Sequence, residues 1–283
     1  PAGEGFVTGP AGAAPITEPG SAPSRSLNPF RVLLKHRNFR VFWSGQTLSL
    51  IGTWMQSVAQ GWVALELTNH PFMVGLLSGA GSAPVLLLSL WAGVLADRHE
   101  KHRIVLIAQS LLLVQASLLW WFVWSGNIDI GTLLLLGTFG GVMNAVEIPA
   151  RQSLVIELVG REDLLDAIAL NSSGFNLARI IGPSIAAVII AQLGLAWCFG
   201  INALSYFAVL TGLLSIRLPK RPPSPHRITP LEGLKAGLSY MRSTREVSLL
   251  MRFTAVFSIL GVPYLTLMPV YARDLLGLGA SGY

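Results

Sequence analysis

"GVLADRHEKHR", residues 93–103, runs seven ionisable side chains together, from Asp97 to Arg103, between two stretches that hold none. The flanking stretches, 72–96 and 104–124, are each long enough for a bilayer-crossing helix, which takes about 20 mostly apolar residues. Charge collected between two such runs marks a turn at a membrane interface. Working outward, the alternation continues. The candidate spans are 41–67, 72–96, 104–124, 130–150, 165–193, 195–216 and 247–272. The connections "TNHP", "SGNID" and "LGL" are short and carry no Lys or Arg. By contrast, "DRHEKHR", "RQSLVIELVGRED" and "RLPKRPPSPHR" are longer and basic, and Arg31, Lys35, Arg37 and Arg40 precede the first span. Basic loops stay in the cytoplasm, so this pattern predicts a cytoplasmic N-terminus and a multi-pass protein of the inner or plasma membrane. Trp62, Trp120, Trp121 and Trp124 fall near outer span ends, where an aromatic belt is expected.

Composition agrees. Of 283 residues, 52% are hydrophobic and 12% charged, with a mean hydropathy of +0.58. Soluble domains carry about 25% charged residues. The net charge of +6 sits in loops that topology makes basic in any case, so it does not point to nucleic acid. Cys198 is the single cysteine, which excludes a disulfide framework within the chain. The five histidines lie in loops or flanks with no metal-ligand spacing. No phosphate-binding loop, nucleophile elbow or catalytic carboxylate pair is present. The expectation is an all-α membrane protein that is not an enzyme, with no cofactor and no metal.

Residues 1–28 are rich in Gly, Ala, Pro and Ser and read as a disordered tail. Residues 29–216 form a six-helix unit. Residues 217–246 are a Pro-rich cytoplasmic linker followed by an amphipathic helix, with Thr229 at its N-cap, Pro230 at N1 and Glu232 at N3. Residues 247–283 begin a second unit with a seventh helix. Gly75, Gly79 and Gly81 in the second span, and Gly137, Gly140 and Gly141 in the fourth, are expected at close helix contacts.

The charged loop resembles the G-x-L-x-D-R-x-G-R-K-R motif of the major facilitator superfamily, through Gly93, Leu95, Asp97, Arg98, Lys101 and Arg103. Glu100 stands where the family usually has Gly. "PARQSLVIELVGREDLLDAIALNS" and "FNLARIIGP" are similar to the enterobactin-exporter-like subgroup of drug and siderophore efflux permeases. The resemblance implies a twelve-helix fold of two six-helix halves. This sequence would then supply the first bundle, the linker and the first helix of the second bundle, with the rest of the C-terminal half missing as a partner. It further implies export of a small amphipathic compound, drug or siderophore, in exchange for protons. A lysophospholipid or metabolite permease is the alternative within transport; a non-transporting membrane scaffold is the alternative outside it. In the family the loop aspartate latches the cytoplasmic side, a role that falls here on Asp97. Gly182 and Pro183 fall where antiporters carry a Gly-Pro element, and proline tends to kink its helix.

Two polar faces stand out within apolar spans. Gln46, Ser49, Thr53, Gln56 and Gln60 recur at steps of three and four, within roughly 80° at 100° per residue. Asn171, Ser172, Asn176 and Arg179 fall within about 140° on the fifth span. The first set and Asn171, Asn176 and Arg179 are candidate walls of a substrate cavity. The other readings are hydrogen-bonding glue between helices, and chance. An arginine at mid-span costs about 2.5–3.5 kcal/mol against lipid, so Arg179 should face protein or water. Glu147 lies four residues before Arg151 and is a candidate for an ion pair with it, with Arg179 or with a basic loop.

Overall fold

The computed structural model describes residues 29–216, 230–275 and 277. The tail at 1–28, the linker with Thr229, and the extreme C-terminus lie outside the described residues. A short helix α1 (Arg31–Lys35) leads into α2 (Arg37–Thr68), α3 (Pro71–Arg98), α4 (Lys101–Trp124), α5 (Ile130–Val159), α6 (Leu164–Leu193) and α7 (Leu195–Ser215). Then come α8 (Pro230–Ser243), α9 (Arg245–Thr266) and α10 (Met268–Val270), and a π-helical turn at Tyr271–Leu275. In the bundle α3 runs along α5, α4 packs on α5 and α7, and α2 packs on α6 and α7.

The short uncharged connections are set by local chemistry. Asn69 ends α2 in the left-handed region at φ 51°, a conformation Asn tolerates better than most residues. His70 Nδ1 then accepts from Phe72 N at 3.3 Å, and Pro71 occupies the first turn of α3, where its missing N–H costs nothing. Asp129 caps α5, accepting from Thr132 N at 2.8 Å and Thr132 Oγ1 at 2.9 Å. Gly194, at φ 90°, is the one residue between α6 and α7.

Among the described residues, five helices are long and apolar enough to cross a membrane by length and composition: Pro71–Ala96, Lys101–Trp124, Ile130–Val159, Leu164–Leu193 and Leu195–Ser215. The first and seventh expected spans form helices α2 and α9 but are not among them. The seam of amides and hydroxyls lowers the apolarity of α2. Helix α2 tolerates this because neighbours surround it: Met55, Gln56, Val58, Ala59, and every residue from Gly61 to Leu65 are buried. The fourth span also differs from expectation. It does not stop at Ala150; α5 runs through Pro149 to Val159. The extension is held because Leu154, Val155, Leu158 and Val159 are buried, and Glu157 pairs with Lys101 at 3.3 Å.

Two apolar layers fill the bundle. One, towards the basic loops, includes Phe39, Phe42, Val105, Leu154, Leu170 and Leu213. The other, towards the short loops, includes Met55, Trp62, Leu65, Leu119, Leu133 and Phe199. Trp62 is thus a core residue at 6% exposure, not a belt residue, whereas Trp121 and Trp124 are exposed. Apolar burial drives little helix association in lipid, because lipid tails are as apolar as leucine; close backbone approach matters more. A Cβ on Gly141 would overlap the Gly81 carbonyl and lie 3.2 Å from Gly81 Cα. A Cβ on Gly45 would lie 3.0 Å from Ala208 O and Val209 Cα. The expected contacts at Gly75 and Gly79 do not form: nothing lies within 4 Å of a Cβ on either. They lie about 120° and 160° around α3 from Gly81, on its exposed side.

Candidate functional site

The seam on α2 enters two hydrogen-bonded relays. In the middle of the bundle, Asn202 Nδ2 of α7 donates to Gln56 Oε1 at 2.8 Å, and Gln56 Nε2 donates to Gln115 Oε1 of α4 at 3.2 Å. Gln115 Nε2 donates in turn to the Leu136 carbonyl of α5 at 3.1 Å. Ser205 Oγ closes the near end on Asn202 Oδ1 at 3.1 Å, and the buried Tyr206 lies beside Thr53 and Asn202. Nearer the basic loops, Gln109 Nε2 of α4 donates to Gln46 Oε1 at 3.4 Å and to Glu147 Oε1 of α5 at 3.1 Å. Arg151 Nε completes this second relay, 2.9 Å from Glu147 Oε1 and 3.1 Å from Oε2.

In this bundle the α2 seam faces neighbouring helices. Gln46, Ser49 and Gln56 are buried at 7%, 2% and 7% exposure, and the two glutamines reach other helices rather than an open space. Long amides fit between these helices because glycine lies opposite them. A Cβ on Gly52 would collide with Asn202 Oδ1 and lie 2.7 Å from Ser205 Oγ, and one on Gly140 would touch Gln115 Nε2 at 3.5 Å. Thr53 and Gln60 are half-buried; Thr53 Oγ1 donates to its own helix at Ser49 O, 2.9 Å away.

The α6 face is different. Asn176 and Arg179 are exposed and Asn171 is half-buried. Asn176 Nδ2 donates to Ser172 O at 2.8 Å, while Arg179 takes part in none of the ion pairs among the described residues. The structure does not bring this face together with Gln46 and Gln56. Instead α6 meets α2 through a buried stripe of Ala167, Leu170, Gly174, Ala178, Gly182 and Ala186. A Cβ on Gly182 would sit 2.6 Å from Trp54 Cβ and 2.9 Å from Ile51 O, so this glycine sets a contact within the bundle; α6 continues through Pro183 to Leu193.

At the charged loop, the Asp97 side chain lies outside the described residues. Arg98 is in the last turn of α3, where a cation suits the helix dipole, and Arg103 is exposed. Lys101 turns to Glu157. His102 Nε2 bonds the Leu213 carbonyl at 2.8 Å, tying α4 to the end of α7. Gly93 has open space around it. Glu100 needs no glycine-like backbone, since its φ is −64°. A second clasp joins the α1–α2 junction to the α5–α6 turn: Asp163 Oδ2 lies 2.6 Å from Lys35 Nζ and 2.7 Å from His36 Nε2.

Hydrogen bonds from His36 and then Lys35 hold the Asp163 carboxyl below its usual range. A depressed carboxyl adds stability above the ordinary aspartate range, and that contribution is lost as pH falls through the lowered value. Asp163→Asn should therefore flatten the acid limb of the melting curve. The effect should stay under about 1 kcal/mol, because solvent screens the exposed Lys35. An unchanged acid limb would remove the clasp from the stability account.

Sequence reasoning missed Gln109, Gln115, Asn202, Ser205 and Tyr206. Signals existed: two amides inside the uncharged run of α4, and Asn202, Ser205 and Tyr206 at helical spacing in α7. The open cleft of about 390 Å³ lined by Leu90, Gly233, Gly237, Leu238, Met241 and Met251 is apolar and carries no group suited to chemistry. Among the described residues no cluster of His, Cys, Asp and Glu suits a metal.

The sequence model of the transmembrane secretion effector family matches residues 25–283. The Staphyloferrin A transporter of Staphylococcus aureus is 30% identical over 234 residues, covering 82% of this chain and 58% of that protein. The enterobactin exporter EntS of Shigella flexneri is 28% identical over 223 residues, 74% of this chain and 51% of that protein. The chain thus spans little more than half the length of these relatives. A solved structure of a bacterial homolog of the human lysosomal transporter Spinster, inward-facing and unoccupied, superposes with a TM-score of 0.67 at 16% identity. It covers 89% of this chain and 57% of that one, a likeness of fold.

Proposed function

The chain belongs to the transmembrane secretion effector family of the major facilitator superfamily, and on that premise we propose that it is the N-terminal part of a proton-driven exporter of a siderophore or similar small amphipathic compound. The family makes it a multi-pass membrane transporter protein and not an enzyme. The names of its relatives favour a siderophore over other cargo. The observation that carries the reading is Arg179. It is the sixteenth of the 30 residues of α6, exposed, in a helix apolar enough to span a membrane. A guanidinium at that depth does not face lipid, so it faces a water-filled space or another protein unit.

A second six-helix unit packed against this one provides both. In this account Asn171, Asn176 and Arg179 line the cargo path, and the α2 seam braces the wall behind it. Residues 29–216 form the first half, 217–246 the cytoplasmic linker and 247–283 the start of the second half, with the N-terminus cytoplasmic in the inner membrane. Arg179→Leu in the full gene product should lower siderophore efflux from cells about tenfold at matched expression, from the loss of a charge-assisted contact. Arg179→Lys should rescue only part of it, since the planar five-donor fork is gone. Full efflux by Arg179→Leu would sink this assignment.

A further inference from the structure

Glu147 is the only Asp or Glu buried among the described residues, at 2% exposure. Its neighbours set it well inside the bundle. Gln109 lies eight residues from the start of α4 and Gln46 nine from the start of α2, roughly 12–14 Å along the helices at 1.5 Å per residue. Gln109 uses its amide unevenly. Nε2 is shared between Gln46 and Glu147, while Oε1 is buried and bonds nothing among the described residues. A carboxylate accepts only, so its negative charge draws the donor end of the amide towards it and leaves the acceptor end idle. The amide is otherwise free to turn, because its terminal torsion is broad and two-fold. A carboxylic acid at Glu147 would donate through its O–H and need an acceptor, which Gln109 supplies by turning over. Gln46 follows by turning its own Nε2 towards Gln109. Gln109 therefore offers Glu147 a donor when it is charged and an acceptor when it is neutral, the unpaired end of the amide changing from its oxygen to its nitrogen.

We propose that Glu147 is a proton-binding site and that Gln109 is the positioning residue that satisfies both of its charge states. The proposal deepens the antiport reading above and rests on it for its role in transport. In the step, one proton passes from a hydronium ion to a Glu147 carboxylate oxygen; an O–H bond of the hydronium breaks, an O–H bond forms on the carboxyl, and water is released. The Glu147–Arg151 pair goes from net zero to +1, and the guanidinium, held at 21% side-chain exposure, turns to water at the basic end. The groups facing Glu147 are Gln46 from α2, Gln109 from α4, Arg151 from its own helix and Tyr206 from α7, which is close enough to feel its charge. Other ionisable groups on the packed helices are Arg37, Arg40 and Glu66 on α2, Asp97 and Arg98 on α3, Lys101, His102 and Arg103 on α4, Glu157 on α5, and Asp166 and Arg179 on α6; among the described residues only Arg151 is ion-paired with Glu147.

The test is infrared difference spectroscopy of the purified full gene product in liposomes, acid minus alkaline. The expected result is a buried carboxylic acid C=O band that is lost in Glu147→Gln. In Gln109→Leu the band should persist but move to higher wavenumber, because the acid O–H has lost its acceptor. An acid band equally strong in Glu147→Gln overturns the site, and an unshifted band in Gln109→Leu overturns the role of Gln109. Antiport is read separately, as the response of efflux to an imposed pH gradient in the full gene product. The band without that response removes the antiport reading and keeps the site; the response without the band does the reverse.

Discussion

Gly141→Ala is expected to break the contact between α3 and α5. The added Cβ would fall on the Gly81 carbonyl, 2.9 Å from its carbon and 3.2 Å from its Cα. These are backbone atoms of a facing helix, so no side chain can swing away, and the helices must part along their length. Overpacking costs 1–3 kcal/mol and sometimes more, and a backbone clash sits at the upper end, about 3 kcal/mol. Gly79→Ala is the matched control. It meets nothing within 4 Å and replaces a poor helix former by the best, so it should be neutral or stabilising by up to about 1 kcal/mol. Melting in one detergent checks both. Equal melting temperatures would mean that the α3–α5 crossing is looser than described.

Arg151→Leu should be about as damaging, for an electrostatic reason. Glu147, nearly sealed from solvent, would lose its only ion-pair partner among the described residues and keep one amide donor, Gln109. Breaking a buried pair by removing one member costs about 3–5 kcal/mol, because the survivor is stranded. Glu147→Leu together with Arg151→Leu should recover most of that loss, since no charge remains to be desolvated. A double variant as unstable as Arg151→Leu alone would show that Arg151 acts through other contacts.

The spans and short turns were legible because their signals are local. Asp129, Pro71 and Gly194 fix helix ends through their own backbone and near neighbours. The length of α5 was not legible, because Pro149 and the charges after it look like a loop until Leu154 and Leu158 are seen buried in the core. The α2 seam was visible as a face, but its meaning depended on partners 59 and 146 residues away in sequence, Gln115 and Asn202. Nothing in α2 alone separates a wall of a water-filled path from a brace between helices. The glycines show the same limit. Gly79 and Gly81 are equally small, and only the position of α5 decides which one matters. The expectation that Arg179 meets protein or water rests on its depth alone, because the cost of a charge at mid-span holds whatever surrounds it.

The central claim is that the polar face of α6 lines a wet cargo path formed with a second unit. Asn176 and Leu177 adjoin at one depth of α6, both exposed on this bundle, but point about 100° apart. The decisive measurement is the labelling rate of Asn176→Cys and of Leu177→Cys by a small water-soluble thiol reagent. Both are made in the full gene product, in a Cys198→Ser background. The account predicts fast labelling at 176, slowed by the siderophore, and none at 177, which faces lipid. Equal labelling at both positions, or labelling at 176 that no cargo slows, would contradict it.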